Sequence, residues 1–216
     1  NFIWWAFCGL RVDLLDYKLL VKIKESGCNT ILLPVENGDP EILKKMNRFV
    51  NLEKIKEVVK NCRGLGIATG ADYIIGYPGE TKESFLKSVE YFKGLKEEGL
   101  KYVNIYKAKP FPNTALYEYC KIRNFLFREE IDHSYFLTSR SPLKNKWVGI
   151  VTNDFNAEEI NRRQEYACRV LSPQFFYKEK FPVLKLIHPV FMMMLKSNLI
   201  RRMFNFLNKS FLRGGY

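Results

Sequence analysis

Histidine is nearly absent from this chain, with 2 in 216 residues, and cysteine never clusters. Cys8, Cys28, Cys62, Cys120 and Cys168 stand 20 or more residues apart, so the chain alone contains no CxxC or CxxxCxxC ligand set and no metal motif. An odd, dispersed count also excludes a secreted disulfide scaffold and fits buried thiols in a reducing compartment, the cytoplasm. No apolar run reaches the roughly eighteen residues that a bilayer needs. The nearest, Phe181–Leu195, is broken by Lys185, His188 and two prolines, which excludes a membrane-spanning helix. Neither an initiator Met nor a signal peptide opens the sequence, and the apolar pattern is under way at Phe2, as in a segment cut from inside a larger protein.

What is present is enough for a core: 47% of residues are hydrophobic and 27% charged. The net charge of +12 is uneven, with 20 Lys and Arg against 15 Asp and Glu up to Phe125 and 15 against 8 from Leu126 onward. Beyond Glu179 there is no acidic residue, while Lys180, Lys185, Lys196, Arg201, Arg202, Lys209 and Arg213 remain. Such a tail is either a solvated basic segment or a surface for an anionic partner, nucleic acid or a lipid headgroup. No RNP motif or KH loop supports an RNA module. The stretch Val183–Leu212, with Met192–Met194 and apolar residues at helical spacing, predicts a helix that either packs on the domain or lies at a membrane interface.

Periodicity divides the chain at about residue 125. Strands are predicted over Phe2–Cys8, Thr30–Val35, Gly70–Gly76 and Tyr102–Ala108, separated by helices over Asp13–Ser26, Glu41–Met46, Leu52–Leu65 and from Thr81 to Glu98, with another from Ala115. Strands 30 to 40 residues apart with helices between them predict parallel βαβ units, in either an open doubly wound sheet or part of a β/α barrel. Both architectures place chemistry in the loops after the strands: Gly9–Asp13, Glu36–Asp39, Gly76–Thr81 and Lys109–Thr114. Residues 126–216 form a basic, mainly helical extension, with a strand predicted at Trp147–Thr152 and a capped helix from Asn156 to Leu171. His133 and His188 have no Cys nearby in the sequence and are read as non-ligands.

Three stretches carry a resemblance: Val35-Glu36-Asn37-Gly38-Asp39-Pro40-Glu41 continuing to Leu43-Lys44-Lys45-Met46-Asn47-Arg48, then Asp72-Tyr73-Ile74-Ile75-Gly76-Tyr77-Pro78-Gly79-Glu80-Thr81, then Pro110-Phe111-Pro112-Asn113-Thr114. In order and spacing they resemble the later half of radical S-adenosylmethionine enzymes, and more narrowly the branch with an amino-terminal cobalamin-binding domain. The methylthiotransferases share much of the pattern. The resemblance implies that residues 1–125 are the third to sixth strands of a partial six-strand β/α barrel. It also implies S-adenosylmethionine as cofactor, a 4Fe-4S cluster whose CxxxCxxC loop lies upstream, and cobalamin through a further domain.

Position by position, the resemblance assigns Arg11 and Arg48 to the methionine carboxylate, which a planar guanidinium suits, and Glu36 with Asn37 to the ribose hydroxyls or amino group. Ile75, Gly76 and Pro78 would wall the adenine, and the loop bearing Asn113 would close over it. Asn37 replaces the family's usual Ser, and Asn113 its usual Gly. The activity implied for the intact protein is formation of a 5′-deoxyadenosyl radical for C–H functionalisation, with methyl transfer from cobalamin, on a small-molecule or lipid-like substrate, fed by a flavodoxin or ferredoxin. A tRNA methylthiotransferase relative and a non-catalytic basic binding module are the other readings.

Overall fold

Six helices begin at a capping side chain in the computed structural model, which describes residues 2–7, 10–127 and 148–173. Asp16 accepts from Leu19 N and starts α1 (Tyr17–Glu25); Asp39, followed by Pro40, starts α2 (Pro40–Lys45); Asn51 starts α3 (Leu52–Gly64). Thr81, Thr114 and Asn156 cap α4 (Lys82–Glu98), α5 (Ala115–Ile122) and α6 (Ala157–Leu171). Each cap satisfies an N–H that the first helical turn leaves without an intrahelical partner. The first helix starts later than its apolar spacing predicts, because Val12–Leu14 turn as a separate 3-10 segment and Asp16, not Asp13, is the cap.

Between the helices run β1 (Trp4–Ala6), β2 (Cys28–Glu36), β3 (Ala68–Ile75) and β4 (Tyr102–Lys107). All are parallel, and their order in the sheet is their order in the chain. A doubly wound sheet must reverse its strand order somewhere, and this one does not. Right-handed crossovers between successive neighbours put the connecting helices on one face, the winding of a β/α barrel. The fold is therefore α/β, a partial parallel barrel of four strands.

Strand alternation then separates the two faces. Ile31, Leu33, Val35, Ala71, Tyr73, Ile75, Val103 and Ile105 are buried, as are Leu20, Ile55, Val58, Val59, Phe85, Val89 and Phe92 on the helices. Burial of each large apolar side chain contributes about 1.5–3 kcal/mol. The Tyr73 and Phe92 rings pack with centroids 4.7 Å apart. The opposite face is less covered and more polar: Asp72 pairs with Asn104 in the β3–β4 register, and Asn104 Nδ2 donates to Asp72 Oδ1 at 2.9 Å. Gly70 lies under the Tyr102 ring, which comes within 2.2 Å of where a Cβ would sit, so a side chain there would require the ring to move.

The described residues all belong to one compact unit, Asn1–Pro173, whereas residues 174–216, with the basic segment Val183–Leu212 and His188, and also His133, lie outside the described residues. Within the compact unit α6 covers the β4 edge, where Gln164 Nε2 donates to Ile105 O at 3.3 Å and Ser172 Oγ to Val103 O at 2.7 Å. Covering an edge in this way blocks further strand pairing. The strand predicted over Trp147–Thr152 does not form among its described residues, which make one isolated antiparallel bridge, Leu126 to Ile150. Val148 and Ile150 are instead spent on a small apolar cluster with Cys120, Phe155 and Ile160. Among the described residues no helix is long and apolar enough to cross a membrane.

Candidate functional site

The strand ends and the loops after them enclose a cavity of about 940 Å³. Glu36 closes β2 onto it by an unusual route. The β2–β3 register slips between Leu33 and Glu36, and Glu36 has φ of 66°, a left-handed conformation that non-glycine residues rarely adopt. A slip of this kind re-aims a side chain, and strained residues of this kind collect at binding sites. The Glu36 side chain is 13% exposed, and its carboxylate lies 3.5 Å from Arg48 Nη2. Burial raises its pKa, Arg48 opposes the rise and Asp72 adds to it.

With Glu36 the cavity is lined by Ile74, Tyr77 and Pro78 from the end of β3 and its loop, and by Tyr106, Phe111 and Leu116 from β4, the loop after it and the start of α5. Lys45, Lys107 and Lys109 complete a wall richer in cations than anions. Lys107 Nζ donates to Asn161 Oδ1 of α6 at 2.6 Å, and burial lowers its pKa to about 8. Aromatic and apolar walls with a few convergent charges, in a volume within the few hundred to about a thousand Å³ typical of ligand pockets, suit a flat heteroaromatic ligand with a polar arm.

Of the residues singled out in the sequence, Glu36, Arg48 and Pro78 line this cavity. Asn37, Ile75 and Gly76 do not; they lie behind it. Ile75 is buried in the core, and its neighbour Ile74 lines the cavity instead. Asn37 is fully buried: its Oδ1 accepts from Asp39 N at 2.9 Å and Ser88 Oγ at 2.7 Å, while Nδ2 donates to Ile74 O and Glu80 Oε1. The longer Asn thus bridges β2, β3, α4 and the Pro-Gly loop. Gly76 has φ of 73° and gives its N–H to Glu80 Oε2 at 2.8 Å. Asn113 is exposed at φ of 64°, which explains how it replaces Gly, since Asn is among the few side chains that tolerate this region; its neighbour Thr114 lines the cavity. Arg11 lies away from it, 72% exposed and paired with Asp13. Tyr77, Tyr106 and Lys45 are wall residues that carried no sequence signal of their own.

Beneath the wall lies a buried ionic group. Glu80 is fully buried, and burial pushes its carboxyl up to about 7 despite the Gly76 N–H, Arg163 and Asn37, with Asp39 adding to the rise. Arg163, 2% exposed, brings Nη1 to 3.7 Å from Glu80 Oε2. The described cysteines, Cys28, Cys62, Cys120 and Cys168, are buried, and burial holds the Cys62 thiol at about 12 and that of Cys120 at about 11. Among the described residues no group of three or more His, Cys, Asp or Glu could hold a metal ion, so these residues do not fit an iron–sulfur cluster.

Residues 5–92 match the family model of the radical SAM superfamily. The matched segment belongs to that superfamily. The part of the site from Glu36 to Glu80 falls within this matched segment, whereas the walls from β4 and α5, and α6, lie beyond it. An uncharacterised methyltransferase of Pyrococcus horikoshii is 27% identical over 173 residues, covering 79% of this chain and 35% of the relative. The tRNA-2-methylthio-N(6)-dimethylallyladenosine synthase of Clostridium tetani is 45% identical over 85 residues, 36% of this chain and 18% of that protein. The chain thus spans about a third or less of the length of these relatives. Among solved structures, the Elp3 protein of Methanocaldococcus infernus aligns over 79% of this chain and 40% of its own at 22% identity, with a TM-score of 0.48.

Proposed function

We propose that the chain supplies the later walls of the S-adenosylmethionine site in a radical SAM enzyme. The observation that carries this reading is Glu36, a carboxylate turned by a strained backbone onto a cavity of about 940 Å³ inside the segment that matches the superfamily. A carboxylate there accepts from ribose hydroxyls or an ammonium group, and Arg48 beside it balances the charge and offers a donor to a ligand carboxylate. Tyr77, Pro78 and Ile74 give a flat apolar surface that excludes water from a heteroaromatic ring. In this family's chemistry the bound cofactor supplies a 5′-deoxyadenosyl radical, and we assign the cluster that drives it to a part of the protein outside this chain.

The 27% identity over 173 residues supports methyl transfer as the outcome, with cobalamin bound by another domain of the intact protein. The 45% identity over 85 residues supports a second reading, methylthiolation of tRNA. Calorimetric titration of the intact protein with S-adenosylhomocysteine tests the site shared by both. Glu36→Ala should weaken binding by about 1.5–3 kcal/mol, the range for a hydrogen bond to a charged group. Unchanged affinity would sink the assignment of Glu36 to the ligand.

A further inference from the structure

We infer that Arg163, on α6, is a positioning residue for this site: it fixes the Gly76–Thr81 turn, and with it the cavity wall Tyr77–Gly79, in the shape that receives the ligand. The inference rests on the reading above that the ligand occupies this cavity. It reaches outside the superfamily match, which ends at residue 92.

Few bonds hold the turn from within, one of them from Gly76 N–H to Glu80 Oε2 at 2.8 Å. Two of its residues, Gly76 and Gly79, have left-handed φ of 73° and 85°, and one internal backbone bond, Glu80 N to Tyr77 O at 3.0 Å, closes it. On the cavity side its ties are exposed: Lys45 Nζ donates to Gly79 O at 3.2 Å and Tyr77 Oη to Lys45 O at 3.1 Å. Solvent competes with both.

From the other side Arg163 grips it in a buried setting. Nη1 donates to Glu80 O at 3.3 Å and Thr81 O at 3.4 Å, Nη2 to Asp154 O at 3.4 Å, and Nε to Glu159 Oε1 at 3.1 Å. The guanidinium carbon lies 5.6 Å from the Phe85 ring centroid and 5.5 Å from that of Phe155. A rigid planar fork can satisfy several fixed acceptors at once while packing against rings; a lysine ammonium cannot. Burying a guanidinium is a poor way to gain stability, since apolar replacements of buried ion pairs are often neutral or better. Its arrangement is better explained by the conformation it specifies.

The same group also bears on the charge of the turn. The Glu80 carboxylate holds Gly76 N–H and accepts from Asn37, and Arg163 is its nearby cation. The other charged or titratable groups around it are Asp39 at the start of α2, itself paired with Lys87 of α4, Tyr73 of β3, and Glu159 of α6, paired with Arg162 and Arg163. Without Arg163 the Glu80 carboxyl either ionises with no cation at hand or holds its proton, so the turn is most disturbed at a pH where Glu80 of the wild type is ionised.

Two measurements on the intact protein test this, using Arg163→Met, Arg163→Lys and Glu80→Gln. In hydrogen–deuterium exchange without ligand, Arg163→Met should speed exchange across residues 74–81 at least tenfold while leaving α3 unchanged, with Arg163→Lys in between and serving as the readout if the Met variant does not fold. In titrations with S-adenosylhomocysteine, Arg163→Met should weaken binding at least tenfold at pH 8. The loss should shrink toward pH 5.5 and become independent of pH in the Glu80→Gln background. Exchange over 74–81 that matches wild type, or that rises equally in α3, overturns the inference. If wild-type protein does not bind S-adenosylhomocysteine, the cofactor reading fails, and the exchange data still decide the role of Arg163.

Discussion

Glutamine at position 80 keeps the size of the buried carboxylate and an acceptor for Gly76 N–H, but it cannot ionise. Burial raises the Glu80 pKa from 4.5 to about 7 in the folded protein. Arg163 does not undo this, because its nearest nitrogen is 3.7 Å away and its Nε serves Glu159. An acid with a raised folded-state pKa holds its proton more tightly folded than unfolded, so the stability it contributes is complete below about pH 4.5 and is lost as pH rises to about 7. At about 1.4 kcal/mol per unit, the loss is roughly 3 kcal/mol. The unfolding free energy of Glu80→Gln minus that of wild type should therefore grow by roughly 3 kcal/mol between pH 4 and pH 8. Urea denaturation of both proteins at pH 4, 5, 6, 7 and 8 measures this directly, and taking the difference removes Glu36 and Asp72, whose pKa values burial also raises. A difference that stays flat would mean that Glu80 titrates normally in the fold. One that falls with pH would mean that the pair with Arg163 outweighs burial.

Close backbone packing gives a second expectation. A Cβ on Gly38 would sit 2.8 Å from Ser88 Cα and 2.8 Å from Tyr91 Cβ, so Gly38→Ala must push α4 off the β2 loop. The expected loss is about 1–3 kcal/mol, the range for overpacking, and scanning calorimetry showing an unchanged melting temperature would contradict the close approach. At Asn113, with φ of 64°, glycine should be tolerated, whereas valine should destabilise by roughly 1–2 kcal/mol and bring ligand affinity down as the Thr114 wall shifts. Equal melting temperatures for the two variants would refute the left-handed conformation.

The alternation of strands and capped helices was legible because its signals are local: Asp39 before Pro40, Thr81 after the Pro-Gly turn, and Asn156 before paired glutamates are each read within four residues. The choice between a doubly wound sheet and a barrel was not legible, since strand order is a long-range property. The loop residues were found as a group but not by direction. Ile74 and Ile75 differ in the face they present, and only the pairing of β3 with β4 tells which one meets the cavity. Asn37 reads as a ligand contact until Ser88, 51 residues away in the chain, is seen to occupy its oxygen. Arg163, one of three arginines in a polar helix, touches Glu80 across 83 residues and carries no local mark.

These misses share a cause. The cavity wall is shaped by residues that do not line it: the backbone turn at Glu36 sits beside Asn37, which is bonded to Ser88 and Glu80, and Glu80 in turn holds Gly76 and meets Arg163. Apolar packing would tolerate small shifts in such a wall, whereas a connected buried polar group loses a bond with each shift and so admits one arrangement. A strained carboxylate at φ of 66° persists only where its surroundings overdetermine it. If the positioning role inferred for Arg163 holds, the region beyond the superfamily match joins the site through Arg163, Asp154 and Glu159, and a ligand bound at Glu36 should be sensitive to the state of α6.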